Sequence, residues 1–589
     1  MLIFQLNLKI EKLINKKIVV NTMSEFILNI EKRDYTKWNL KPHGEFSHEL
    51  EPIISPVDLK LFHKDVIDNE GKVVSSFYRN NKEICGVLLT SEKTYGRNNK
   101  DKLLFKCIPD DECLPCFLIP YEEKNIGFSK NKRDKYVMFY IDEWKDKHPS
   151  GRLSNNFGNI DDKEAYLNYQ LACNNLNESI KEVHSASLRA LRKNNLMQIP
   201  YVMNGTIIED RRERSIISID PKGCSDIDDA IGISRIDGEK VISIYISNVA
   251  IMIEYLELWE FITTRVSSIY LPNKKISMFP NILSDNLCSL KEKEERVAFV
   301  LDIHIDDNNN QTCKCSAVII KVEKNYVYNE PELTARKDYQ EILETINKIN
   351  TENEETYTNT KYMDKITNSH DVVEYCMLYM NHECAKRLKD KRKGIFRSAT
   401  KGRIETNNTC YENLMPEIKY ILQNVSGEYC NYDNIKPHEL VSDGLQTYTH
   451  ITSPIRRIVD CVNMIELQQG LFKWSAASRE FINRWMSSIE VINKKTKSIG
   501  RLQNQMALIE LYEKNQTEGR SYSGVVFSKK TIDIKGVMMF KYSVFIQLLK
   551  LLSSVVTSKE IKEYSIVEFS VHSFMDEIKM TKKFRLQLS

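Results

Sequence analysis

The sequence predicts a multidomain protein of mixed class, an α/β core flanked by small all-β barrels. Three observations predict it: 589 residues with 42% hydrophobic content, strand-rich text at residues 85–144 and again near the C-terminus, and a long middle region of strands and helices. At roughly 100 to 200 residues per domain, the chain accommodates about three to five domains.

Residues 1–70 mix charges with Pro42, Pro52 and Pro56 without a strong period, and they read as a loosely packed arm. Within residues 71–195 the runs GVLLT, KLLFKCI, CFLIPY and KYVMFYI alternate with polar turns, the punctuation of a compact OB-type barrel. A helical linker is expected over residues 166–195. Residues 196–510 form the body, with strands expected near 216–220 and 241–248 and long helices after them. Residues 515–589 return to strands at 524–528, 542–548 and 566–574, where Val567, Phe569 and Val571 alternate with Glu568 and Ser570. Phe584, Leu586 and Leu588 alternate likewise, so a second OB-type barrel is expected. Residues 308–310 and 351–360 are polar loops.

The 84 Lys and Arg against 81 Asp and Glu leave a net charge of +3, so any basic binding surface must be local. Lys541 and Lys550 interrupt the apolar stretch at residues 538–556, and Lys9, Lys12, Lys16 and Lys17 interrupt residues 1–20. Neither a spanning helix nor a secretory signal is expected. Fourteen cysteines lie between Cys85 and Cys461 without a repeating spacing, which favours free thiols in an intracellular, cytoplasmic protein. Cys107, Cys113 and Cys116 offer half a zinc site; ordinary buried cysteines are the preferred reading.

One segment carries chemistry. In SIISIDPKGCSDIDDAIGI an apolar strand ends at Asp220, and Asp226, Asp228 and Asp229 follow within nine residues. Carboxylates so crowded resist ionising together unless a cation sits among them. Carboxylate oxygens suit Mg²⁺, with Mn²⁺ as a substitute, and a pair of such ions about 4 Å apart can promote phosphodiester hydrolysis. An EF-hand calcium loop fails, because Ala230 and Ile231 stand where a ligand and the obligatory glycine belong. A solvated acidic turn is the plain alternative.

Four motifs in order resemble the RNase II/RNase R (RNB-domain) exoribonuclease family, which includes the exosome catalytic subunit. They are the acidic run from Ile219 to Ala230, YLPNKKISMFPNILSDNLCSL from Tyr270, VEYCMLYMN from Val373, and YTHITSPIRRIVD from Tyr448. The resemblance covers residues 201–504 strongly and the flanking barrels weakly. It implies that Asp220, Asp226, Asp228 and Asp229 hold Mg²⁺, with Asp228 closest to the chemistry. It further implies that Tyr270 lies beside the scissile phosphate, that Glu374 holds the 3′-terminal nucleotide, and that Arg456 is the catalytic arginine beside an RNA-contacting Arg457.

These positions also read physically. Glu374 borders the apolar helix stripe Val373, Met377, Met380, Cys384 and Leu388, with Asn381 further along the same side. The six basic residues between Lys386 and Lys393 are either a solvated face or a phosphate track. Ser453 is expected as a helix N-cap and Pro454 as the first helical residue, which would place Arg456 in a first turn suited to an anion.

The chain departs from the family at ISIYISNVA, where Tyr245 and Asn248 replace His and Asp, and at Ile451 and Ile458, which replace aromatics; no counterpart of a base-stacking clamp is evident. The expected function is Mg²⁺-dependent, hydrolytic 3′-to-5′ degradation of single-stranded RNA to nucleoside 5′-monophosphates, without a dinucleotide cofactor or a membrane. The alternative is a catalytically weak or inactive RNA-binding scaffold on the same fold.

Overall fold

The computed structural model describes residues 25–43, 54–122, 132–193, 200–306, 310–352, 362–400, 419, 426–439, 445–514, 521–534, 536–576 and 582–589. Residues 1–20, most of 308–310 and most of 351–360 lie outside them. Two compact units are present, Met1–Asn177 with Ser573–Phe584, and Glu178–His572 with Arg585–Ser589. Among the described residues no helix is long and apolar enough to cross a membrane, and the described cysteines are all free, Cys107, Cys113 and Cys116 included.

In the first unit, a five-stranded antiparallel sheet contains Ile84–Leu88, Leu104–Pro109, Phe117–Pro120, Lys135–Ile141 and Gly151–Asn159. The first four are the strands read from the apolar runs; Gly151–Asn159, polar and little buried, was not among them. The expectation of a loose arm before them is corrected. Glu25–Ile30 and Trp38–His43 pair with Val66–Ile67 and Val73–Ser75 in a four-stranded sheet. Phe26, Leu28 and Ile30 point inward at every second position and share one core with Phe105, Phe117, Phe139 and Trp144. Phe62 joins them, its ring 5.9 Å from Phe117 and 5.0 Å from Trp144. The short strand EFILNI alternates only three times between charged neighbours, so its period was hidden; packing against a finished barrel face makes it a strand. The linker is two helices, Lys163–Cys173, capped by the Asp162 carboxylate, and Lys181–Lys193.

The second unit is built on a seven-stranded mixed sheet. Its order is Glu209–Asp210, Gln311–Lys321, Glu295–Ile305, Glu239–Ser247, Asp229–Ile236, Ile217–Asp220 and Lys324–Val327. The central strand Glu239–Ser247 is buried continuously from Val241 onward, because both faces are covered. That explains its apolar run VISIYIS and the buried Tyr245. The helix Ser369–Asp390 is opened by a capping box between Asn368 and Asp371, and it buries Val373, Met380, Cys384 and Leu388 as the 3,4 stripe requires. A five-stranded antiparallel sheet closes the chain, with Ser521–Ile534 paired to Val537–Ile546 and to Ile566–Met575, and Leu551–Thr557 and Lys582–Leu588 at its edges.

Candidate active site

Strand Ile217–Asp220 delivers Asp220 to the end of the sheet, and the chain turns through Gly223, whose φ of +83° favours glycine. The loop is then sewn down by backbone and hydroxyl bonds. The Ser289 Oγ accepts from the Ile227 N–H at 3.1 Å and donates to the Ser225 carbonyl at 2.9 Å. The Ser247 N–H donates to the Asp228 carbonyl at 2.8 Å, and Asp229 begins the strand Asp229–Ile236. Asp226 and Asp228 are buried. Crowding follows from a strand, a tight turn and a second strand, with no freedom for the carboxylates to separate.

Two other segments converge on this loop. The YLPNKK stretch is a small hairpin, Ile269–Tyr270 against Lys275–Ile276, in which Tyr270 lies opposite Lys275. One tight turn therefore brings two side chains to one carboxylate: the Tyr270 hydroxyl donates to Asp226 Oδ2 at 2.7 Å, and Lys275 Nζ lies 3.0 Å from Asp226 Oδ1. Lys275 also reaches Asp285 at 2.9 Å and Ser225 at 2.9 Å. The sequence reading missed Lys275, which has no signal except its register across from Tyr270.

The SPIRR segment corrects a second expectation. The helix begins at Ile458, not Pro454, and Ser453 to Arg457 form a turn in which the Arg456 and Arg457 N–H groups donate to the Ser453 carbonyl. Ser453 caps nothing with its hydroxyl; its N–H donates to Asp460 Oδ1 at 2.7 Å. The physical reason is a stronger acceptor nearby. Asp228 Oδ1 accepts the Ile455 N–H at 2.9 Å, and the Arg456 carbonyl accepts from the Ser268 N–H at 3.0 Å, which together hold an open turn. Arg456 Nε lies 3.3 Å from Asp228 Oδ2 and its Nη2 donates to Ser453 Oγ at 3.1 Å, and since the side chain remains 46% exposed, the outer end of the guanidinium can meet an anion. Arg457 is instead a fork on the fully buried Asp460, with bonds of 3.0 and 2.9 Å.

Electrostatics set these carboxylates apart. Burial pushes the Asp228 carboxyl up to about 7 against the downward pull of Arg456 and the Ile455 N–H. Burial, then the charges of Asp220 and Asp228, drives Asp229 well above the carboxylate range. Asp220 is raised by burial and by Asp226, despite Ser218 and Arg456, and its buried Oδ2 has no hydrogen-bond partner. An unpartnered buried carboxylate oxygen among repelling neighbours is chemistry that a divalent cation satisfies. As the side chains stand, no three of His, Cys, Asp and Glu among the described residues are gathered closely enough to hold an ion. Arg456 and Lys275 supply the positive charge instead.

Glu374 is not brought to the carboxylates. It is exposed on its helix, 3.8 Å from His370 Nδ1. His370 packs against Tyr328 at a ring distance of 5.2 Å, and the Tyr328 N–H donates to the Asp220 carbonyl at 3.3 Å. Tyr328 is thus an aromatic beside the acidic loop that the sequence reading did not single out; burial, then Asp229 and Asp220, raise its hydroxyl to about 12. Asn381 is buried and holds Tyr448 and Thr452 through Nδ2, while its Oδ1 accepts the Ile451 N–H. Asn248, read as a replacement for Asp, is a buried helix cap: Oδ1 accepts the Ile251 N–H, and Nδ2 donates to Gln468 at 2.8 Å. The basic run near Lys386 is tied to the body, with Arg387 on the Cys313 carbonyl and Lys391 on the Leu467 carbonyl.

Residues 208–473 match the RNB domain family. The chain is 23% identical over 535 residues to the probable exosome complex exonuclease RRP44 of Caenorhabditis elegans, covering 76% of this chain and 53% of that protein. It therefore spans about half the length of that curated relative. Mycoplasma genitalium RNase R, solved in complex with ribose methylated single-stranded RNA, has the same fold. The TM-score is 0.65 at 16% identity, over 96% of this chain and 100% of the other. Yeast Ssd1, described as a pseudonuclease, superposes with a TM-score of 0.57 at 13% identity over 95% of this chain and 82% of the other. The α/β core flanked by small OB-type barrels expected from the sequence is the RNase R architecture.

Proposed function

We infer, from an RNB domain at residues 208–473, that this chain is a Mg²⁺-dependent, hydrolytic 3′-to-5′ exoribonuclease. It takes single-stranded RNA and releases nucleoside 5′-monophosphates. The observation that carries the reading is the meeting of three separate segments at one loop: Asp220 to Asp229, Tyr270 with Lys275, and Arg456. Arrangements of this kind suit a dianionic transition state at phosphorus, in which positioned positive charge does most of the catalysis.

Asp220, Asp226, Asp228 and Asp229 would hold the divalent ions, because their buried, mutually repelling carboxylates ionise together only beside a cation. Bound Mg²⁺ or Mn²⁺ supplies phosphate polarisation and water activation. Arg456, half-exposed and forked, neutralises charge developing on the phosphate oxygens. Tyr270, fixed through its hydroxyl to Asp226, would lie beside the reacting phosphate. Tyr328 borders the same loop, and Glu374, outside it but linked to Tyr328 through His370, would help position the terminal nucleotide. Arg457, its guanidinium on Asp460, would act on RNA from the same turn, beside Arg456. The flanking barrels bind the strand.

A second reading, an inactive RNA-binding scaffold, is favoured by one observation: both oxygens of Asp228 already have partners, Ile455 and Arg456. Labelled single-stranded RNA incubated with Mg²⁺ and with EDTA decides between the two. Mononucleotides in Mg²⁺ alone support the enzyme; intact RNA retained on the protein in both supports the scaffold.

A further inference from the structure

Arg456 and Lys275 both bring positive charge to the carboxylate loop, and they are held differently. Arg456 stays half exposed, whereas the Lys275 side chain is only 21% exposed. An ammonium has three hydrogens to donate, and three acceptors surround this one: Asp226 Oδ1 at 3.0 Å, Asp285 Oδ1 at 2.9 Å and Ser225 Oγ at 2.9 Å. With all three donors engaged, Lys275 is not placed to take a phosphate.

The two carboxylates that it joins belong to different parts of the chain. Asp226 is part of the acidic loop, and its other oxygen accepts from the Tyr270 hydroxyl. Asp285 lies outside that loop, in the turn Ile282–Leu287, where the Ser284 hydroxyl also donates to it at 2.8 Å. The backbone beneath Lys275 is fixed. Its strand pairs with that of Tyr270, and the hairpin is tied to the helix Ile489–Lys514 by Asn273 Nδ2 on Glu510 at 3.0 Å and by Gln503 Nε2 on the Tyr270 carbonyl at 2.9 Å. The movable part is the four-carbon stem, whose compact charge can change partners while the backbone stays in place.

We propose that Lys275 is a positioning residue that releases Asp226 to a divalent ion: it balances the Asp226 charge in the metal-free protein, and it is retained by Asp285 when Asp226 turns to the ion. The inference rests on the reading of this loop as metal-holding and adds what sets its affinity for metal. The ammonium competes with the ion for Asp226 and repels it, so it weakens metal binding. Asp285 keeps a second acceptor beside the ammonium, so it eases the release. Removing the charge of Lys275 should therefore strengthen metal binding, and removing the charge of Asp285 should weaken it only while Lys275 is present. An ion pair that merely braced the loop would shift both variants in the same direction.

The test is Mn²⁺ binding to the full chain without RNA, read from the electron paramagnetic resonance signal of the free ion. Lys275→Gln should bind Mn²⁺ about tenfold more tightly than wild type, and Asp285→Asn about tenfold more weakly. The double variant should match Lys275→Gln, because Asp285 acts through the ammonium; charges acting independently through space would give the sum of the two effects. Should Lys275→Gln fail to melt as a folded protein, Asp285→Asn still decides, since unchanged affinity there overturns the proposal. A wild type that takes up no Mn²⁺ would end the metal reading of the loop and this inference with it. Uptake by wild type, with equal or weaker binding in Lys275→Gln or with additive effects in the double variant, would overturn this inference alone.

Discussion

In the loop after Asp220, side chains are fixed by bonds that reach 44 residues to Tyr270 and 228 residues to Arg456. The closing sheet, by contrast, is assembled mainly from hairpins between neighbours, Ser521–Ile534 with Val537–Ile546 and then Leu551–Thr557. It leaves Val537, Met538, Leu552 and Ile566 exposed. On the function proposed above, the difference separates two ways of handling a polyanion. Chemistry at one phosphate needs charges held to fractions of an ångström, which only long-range stitching provides; grip on a strand needs a tolerant surface, which a local sheet supplies.

The sharpest way to break this comparison is Asp228→Asn. It removes a charge with little volume and should lower turnover by about 10² to 10³ while RNA still binds. Undiminished turnover at saturating Mg²⁺ would move the active site elsewhere. The same variant carries a stability prediction of opposite sign. A carboxyl raised from about 3.9 unfolded to about 7 folded stabilises the fold least when ionised: its contribution falls as pH rises through that window and stays low above it. Asp228→Asn should therefore be more stable than wild type by roughly 3 to 4 kcal/mol above pH 7 in EDTA. The gain should shrink toward pH 4 and on adding Mg²⁺ to the wild type. Urea titrations at both pH values read it out.

A chain ending at Lys514 sharpens the other half. Loss of the closing sheet should weaken RNA binding by about 1 to 3 kcal/mol for each stacked base and flatten its salt dependence, because phosphate contacts leave with the sheet, with turnover on saturating short RNA nearly unchanged. Abolished turnover on short RNA would make the sheet part of the catalytic structure. Arg456→Lys is the smallest change: the charge stays, the fork is lost, and turnover should fall by about tenfold with affinity preserved. A loss confined to affinity would reassign Arg456 to strand binding.

Much of this molecule was legible in its residue order. Ile566–Met575 and Lys582–Leu588 followed period-two alternation, four strands of the first barrel followed apolar runs between polar turns, and the Ser369–Asp390 helix followed its 3,4 stripe, while Gly151–Asn159 and Leu551–Thr557 carried no such signal. Four aspartates within ten residues announced a cation-seeking loop, because repulsion at that spacing is a covalent fact. What the order could not carry was decided by partners distant in sequence. The Glu25–Ile30 strand needed a barrel face to pack on. The SPIRR turn opened because the Asp228 carboxylate took the N–H that a helix would have used. Lys275 became a site residue only through its register opposite Tyr270, and Glu374 was left outside the first ring of contacts because its helix turns it to solvent. Local propensity fixes most of the elements; where it does not, and which charges meet, depends on tertiary geometry, since a single hydrogen bond to a buried carboxylate outweighs the few tenths of a kcal/mol that propensity offers.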